Sequence, residues 1–209
     1  MTDTLAAVHE RTSALHFDTT RHLSDDEIRS LIAEATQAPS SFNIQHWRFI
    51  AVTDQAKKDA LMAASYGQPQ VAAAPVTFII LGDTKGHTKL KDILDRSVAA
   101  NVIPQAVADQ WVGMATGMYG QNAALSRDEA IRSGSLVAMT LMLAAKARGL
   151  VSGPMIGFDP AQVMKIFGIA EQYVPVMILP VGYPAPGNTV RKPRLTVDEV
   201  LAFNTSRDF

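Results

Sequence analysis

The chain predicts an α+β fold, one domain over residues 1–209, with a modest sheet among more numerous helices. Three observations carry this reading. Apolar runs at residues 47–52, 75–81 and 174–181 have strand length, whereas segments with apolar residues three and four apart have helix length. Strands and helices do not alternate as the βα units of a doubly wound sheet would, so four or five strands among long helices favour α+β.

Taken in order, a short helix is expected ahead of Arg11. Ser24-Asp25-Asp26-Glu27 is a capping box, in which Ser and Glu reciprocally satisfy the first free N–H groups of a helix. Ile28, Leu31, Ile32 and Ala35 continue it at helical spacing, and it stops before Pro39. Trp47–Val52 reads as a strand, and Asp54 caps a helix running to about Ser65. Pro75 and Gly82 bound a second, buried strand. Residues 87–120 read as helical with a break near Pro104. Ser126 is expected to open a long helix closed by Gly149. The middle of that helix, residues 136–143, is apolar nearly all round, which marks burial on most faces in the core or an interface. Asp159-Pro160 looks like the N-cap and first residue of another helix, residues 174–181 a third strand, and Thr196 to Glu199 a second capping box.

Composition narrows the function classes. Hydrophobic residues make up 47% and charged residues 19% of the chain, below the roughly 25% charged content of soluble domains, so much surface is hidden in a core or a subunit interface. A net charge of -1 gives no electrostatic case for nucleic acid or an anionic membrane. Without cysteine there is no disulfide, thiolate catalysis or iron–sulfur ligation. The first 17 residues carry Asp3, His9, Glu10 and Arg11, which argues against a signal peptide, and the uncharged stretch 133–145 is shorter than a membrane span. A cytoplasmic location is expected.

Four segments could carry chemistry. Arg11-Thr12-Ser13 offers a forked cation and hydroxyls suited to a phosphate, or is a solvated helix end. Pro39-Ser40-Ser41-Phe42-Asn43-Ile44-Gln45-His46-Trp47 offers hydroxyls and amides to a polar ring, or is turn chemistry. Gly149 to Asp159 places glycines around Pro154-Met155-Ile156, so that backbone can approach a flat ligand, or is a connection. Lys192-Pro193-Arg194 could clamp an anion, or is a charged tail. No G-x-G-x-x-G, P-loop or G-x-S-x-G occurs, and the histidines at 9, 16, 22, 46 and 87 form no metal-ligand pattern.

In this order and spacing the segments resemble the nitroreductase family of flavoproteins, over about residues 8 to 201. Val174-Pro175-Val176 running to Val181-Gly182, and Tyr66-Gly67-Gln68-Pro69-Gln70-Val71, fit as well. The resemblance implies a mostly antiparallel sheet surrounded by helices and a domain-swapped type of homodimer, with FMN at the subunit interface. It implies that Arg11, Ser13, Lys192 and Arg194 bind the FMN phosphate, with Thr12 beside it. Pro39, Ser40, Ser41 and Asn43 would reach the flavin from the partner subunit, and Gln68 and Gln70 would meet the ring edge or ribityl chain. Pro154, Met155, Ile156 and Gly157 would line one ring face, the Ile156 N–H donating to flavin N5. No side chain is assigned as catalytic and no metal is implied.

Two positions depart from the family pattern. Leu15 stands where many relatives carry Lys or Arg near flavin N1 and O2, and Gly67 where some have Asn. The implied activity is reduction of nitroaromatics, quinones or similar electrophiles by NADH or NADPH in a ping-pong cycle. The alternatives are another flavin reaction on the same fold, dehalogenating or flavin-consuming, and a flavin-binding protein of low turnover. Trp111, Met114, Met118 and Tyr119 either cover the acceptor pocket or pack in the core or a dimer contact.

Overall fold

In the computed structural model, residues 4–206 are described. The helices are α1 (Thr4–Glu10), α2 (Asp25–Ala35), α3 (Gln55–Ala63), α4 (Gln70–Ala73), α5 (Leu90–Ala99), α6 (Gln105–Tyr119), α7 (Ala123–Ala147), α8 (Pro160–Phe167) and α9 (Val197–Val200). The strands are β1 (Trp47–Val52), β2 (Val76–Asp83), β3 (Val151–Ser152) and β4 (Tyr173–Gly182), arranged as one antiparallel sheet in the order β1-β2-β4-β3.

Strand β2 is buried along its whole length, and its alternation feeds two cores. Phe78 and Ile80 face α2 and α7, joining Leu31, Trp47, Val137, Leu141 and Leu179. Ile79 and Leu81 face the other way, toward Leu61, Val71, Val163 and Ile178 under α3, α4 and α8. Each fully buried Leu or Phe contributes about 1.5–3 kcal/mol, so both faces of the sheet are held. Gly82 lets α7 approach: a Cβ there would lie 2.5 Å from the Ala130 carbonyl oxygen.

A third, separate core forms beside the sheet. Ile44 packs with Leu90, Leu94, Ala108, Ala115 and Tyr119, which ties the turn before β1 to the α5–α6 hairpin.

The capping box at Ser24 forms as expected, its hydroxyl accepting from Glu27 N–H while Glu27 accepts from Ser24 N–H at 2.7 Å. Several boundaries differ. Helix α7 begins at Ala123, because the Asn122 side chain accepts from Leu125 N–H and caps it ahead of Ser126. Helix α3 ends at Ala63, before Ser65, and residues 86–89 form a 3-10 turn ahead of α5. The apolar middle of α7 is buried on one side only: Val137, Ala138 and Leu141 are inside, while Leu136 and Met139 are exposed. Helix α4 and the two-residue β3 were not legible in the periodicity, being too short for either pattern to repeat.

Candidate functional site

Three groups of residues make up the candidate site, and the chain brings two of them together. The first is a cationic cup of about 160 Å³ lined by Thr12, Ser13, Leu15, Arg191, Lys192 and Arg194. It joins the end of α1 to the segment after β4. Asn188 makes the join, its Oδ1 accepting from Leu15 N–H and His16 N–H while its Nδ2 donates to the His16 carbonyl at 2.7 Å. Arg191 donates to the carbonyls of Val8, His9 and Arg11. The segment before Pro193 is therefore anchored.

Beside this cup, Arg11 carries a buried guanidinium nitrogen, Nη1, without a hydrogen-bond partner. Burial first, then the nearby Arg191 and Arg194, push this guanidinium below its ordinary value. Like charges gathered around an orphaned buried donor are compensated by an anion with several oxygens, which is the chemistry of a phosphate. Arg191 was missed in the sequence reading; its adjacency to Lys192 was the available signal.

The second group adjoins the first through Ser13, which bridges Ser152 of β3, and through Ala14 N–H donating to Ser152 O at 2.9 Å. Gly153 is required at this crossing, since a Cβ would sit 2.5 Å from the Ala14 carbonyl oxygen. Met155 then pairs with Ile178 through two 3.0 Å backbone bonds. This leaves Ile156 turned outward with its side chain 79% exposed, and its N–H meets no acceptor among the described residues. Gln68 Nε2 donates to the Gly157 carbonyl at 2.9 Å, and Gln70 Nε2 donates to Gln68 Oε1 at 3.0 Å. Pro154, Met155, Ile156, Gly157, Gln68 and Gln70 thus form one edge.

The third group, Pro39, Ser40, Ser41 and Asn43, lies elsewhere. Ser152 sits at the β3 edge level with Val181 and Val76, whereas Trp47 starts the opposite edge strand level with Gly82. The separation is three strand spacings, about 14 Å, across the sheet and about 20 Å along it. No hydrogen bond or cavity joins this turn to the other two groups among the described residues.

The turn is strained and held. Phe42, Asn43 and Gln45 have φ of 50°, 57° and 55°, the left-handed region that non-glycine residues rarely adopt. Ser40 Oγ accepts from Gln45 N–H at 2.9 Å, and the Ser41 and Tyr119 hydroxyls are 2.8 Å apart. Phe42 packs edge-on to Trp111 and Tyr119. Tyr119 is buried, but Met114 and Met118 on the same helix are exposed. Beneath the turn, buried His46 lies 3.3 Å from Ser133 Oγ, which donates to Glu129. Burial holds the His46 pKa below its usual value, with Glu129 and Asp83 opposing the shift.

Comparison with known proteins identifies the family. The chain matches the family model described as Nitroreductase family over residues 8–183. It is 35% identical over 182 residues to YodC of Bacillus subtilis, assigned as a NAD(P)H nitroreductase, covering 87% of this chain and 90% of that one. It is 32% identical to the CLA biosynthesis enone reductase of Lactiplantibacillus plantarum, covering 96% and 95% of the two chains. An FMN complex from Exiguobacterium sibiricum, assigned as a nitroreductase, superposes with a TM-score of 0.90 at 33% identity, over 97% of this chain and 98% of that one. With the family model spanning most of its length and relatives above 30% identity over nearly all of it, the chain belongs to the nitroreductase family.

Proposed function

We propose that the protein is an FMN-dependent oxidoreductase that uses NADH or NADPH to reduce nitroaromatics, quinones or similar electrophiles in a ping-pong cycle. The observation that carries the reading is the cationic cup with its orphaned Arg11 nitrogen, continuous with a backbone edge at Pro154–Gly157. In this reading Arg11, Ser13, Arg191, Lys192 and Arg194 hold the phosphate. The Ile156 N–H, free of other acceptors, donates to the ring nitrogen N5. Met155 and Pro154 supply an apolar surface for one ring face, and Gln68 and Gln70 hold the ring edge. FMN, when bound, supplies the chemistry: it takes a hydride from the nicotinamide and passes two electrons to the acceptor.

The same reading includes a homodimer in the cytoplasm. Because one subunit separates Pro39, Ser40, Ser41 and Asn43 from the cup, a second copy would supply them. Exposed Leu5, Val8, Leu136 and Met139, with Leu195, Val197, Val200, Leu201 and Phe203 on the tail, offer apolar area for that contact. Helix α6, through Trp111, Met114 and Met118, would border the acceptor pocket.

The test is the visible spectrum of the purified protein, followed by anaerobic addition of NADH or NADPH. Flavin bands that bleach on addition are expected. A protein that stays colourless after FMN is added removes the proposal. Initial rates with a quinone should give parallel double-reciprocal lines, and intersecting lines would exclude the ping-pong cycle. An enone belongs in the acceptor screen alongside nitroaromatics and quinones, given the enone reductase relative.

A further inference from the structure

Away from the cup, a buried cation has no counter-ion among the described residues. Lys58 on α3 is 7% exposed, and its Nζ donates to the Ala74 carbonyl at 3.0 Å. It forms no ion pair with a carboxylate among the described residues. Asp54 and Asp59 on the same stretch attract it only through space, and both are engaged elsewhere. Asp54 caps α3 at Lys57 N–H, and Asp59 accepts from Gln55. An ammonium has three donors, and a charge taken out of water calls for a charged partner.

Lys58 lines a cavity of about 420 Å³. Its polar lining is Thr19, Arg21, His22, Gln55 and Lys58, with no Asp or Glu. Arg21 is pre-positioned: its guanidinium carbon lies 3.2 Å from the centroid of the Tyr183 ring. Stacking fixes the plane of the guanidinium and leaves its edge donors free. Asp18 attracts Arg21 through space, but its carboxylate already accepts the Thr20 N–H and hydroxyl. Met62 and Pro69 add apolar lining to the same cavity.

We propose that this cavity binds a small organic oxyanion, a carboxylate or phosphate monoester on a compact apolar body. Lys58 and Arg21 hold the oxygens, and the body rests on Met62 and Pro69. The site is separate from the cup at Arg11. It abuts the turn bearing Gln68 and Gln70, because Pro69 lies between them.

The experiment is calorimetric titration of FMN-treated protein at constant ionic strength, with benzoate, phenyl phosphate and benzyl alcohol as probes. FMN treatment keeps phosphates out of the cup, and the flavin bands report any probe that stacks on the ring instead. Saturable binding of benzoate or phenyl phosphate is expected, with benzyl alcohol inert; whichever binds assigns the headgroup. Lys58→Met and Arg21→Gln should each weaken binding tenfold or more, and Lys91→Gln, an exposed cation outside both the cavity and the cup, should not. Arg21 is exposed, so its variant keeps the test decisive where Lys58→Met fails to fold. Binding of neither anion, equal binding to Arg21→Gln, or binding that follows the flavin bands overturns the proposal. If the protein takes up no FMN, the function proposed above fails, and benzoate binding to Arg21→Gln against the parent protein still decides this one.

Discussion

Replacing Arg191 with Met isolates the anchor of the C-terminal arm. The guanidinium donates to Val8 O at 2.6 Å, His9 O at 2.8 Å and Arg11 O at 2.6 Å, and Met keeps the stem but no donor. A hydrogen bond from a charged donor contributes about 1.5–3 kcal/mol net. The bonds to Val8 and His9 are exposed, where water replaces the lost donor, so the expected loss is about 2–3 kcal/mol in all. At about 1.4 kcal/mol per tenfold, releasing Lys192 and Arg194 from their fixed position should raise the FMN Kd between about 30- and 140-fold. Riboflavin carries the same ring without the phosphate, and its affinity should hold within about twofold. Fluorescence-quenching titrations of the apoprotein with both flavins separate the outcomes. Equal losses for FMN and riboflavin would refute the cup as a phosphate site, and an unchanged FMN Kd would refute the anchor.

Three further outcomes are expected. Leu15→Lys places an ammonium at the cup's edge; at about 1–4 kcal/mol for a charge pair near 4 Å, the two-electron potential should rise by about 20–90 mV, and a titration showing no rise would sink the idea. Tyr119→Phe removes the hydroxyl partner of Ser41; a loss of about 1 kcal/mol should lower Tm by about 2–4 °C and raise the acceptor KM, while the NAD(P)H half-reaction is unchanged. An unaltered acceptor KM would confine Tyr119 to packing. Burial holds the His46 pKa in the fold below the usual 6.5, so between the folded and unfolded values the unfolded chain binds the extra proton. The stability it contributes is intact above about pH 7.5 and falls as pH drops through 6.5 toward the folded value; urea midpoints of His46→Asn against the parent should show a shallower decline over that window.

Much of the fold was legible along the chain because its signals are local. The Ser24 box, the Asp54 and Asp159 caps and the apolar runs of β1, β2 and β4 depend on residues within one turn or one strand of each other, and all formed. The candidate cup was legible as composition, a cation at Arg11 and two more at Lys192 and Arg194. Its anchors, Arg191 and Asn188, were not, because their bonds span more than 170 residues. The one-sided burial of α7 was also hidden: an all-round apolar pattern says that faces avoid water, not which face meets the sheet and which is left for another surface.

Local pattern thus decided which segments are helix or strand, that the site lacks thiol chemistry, and which motifs resemble flavin-binding ones. Tertiary structure alone decided that the cup and the Ile156 edge adjoin, that Ser40–Asn43 stand at the opposite corner of the sheet, and that Lys58 is buried without a carboxylate partner among the described residues. The reason is physical: hydrophobic and capping preferences act over a few residues, whereas a binding site is set by which distant segments the sheet register brings within hydrogen-bond reach.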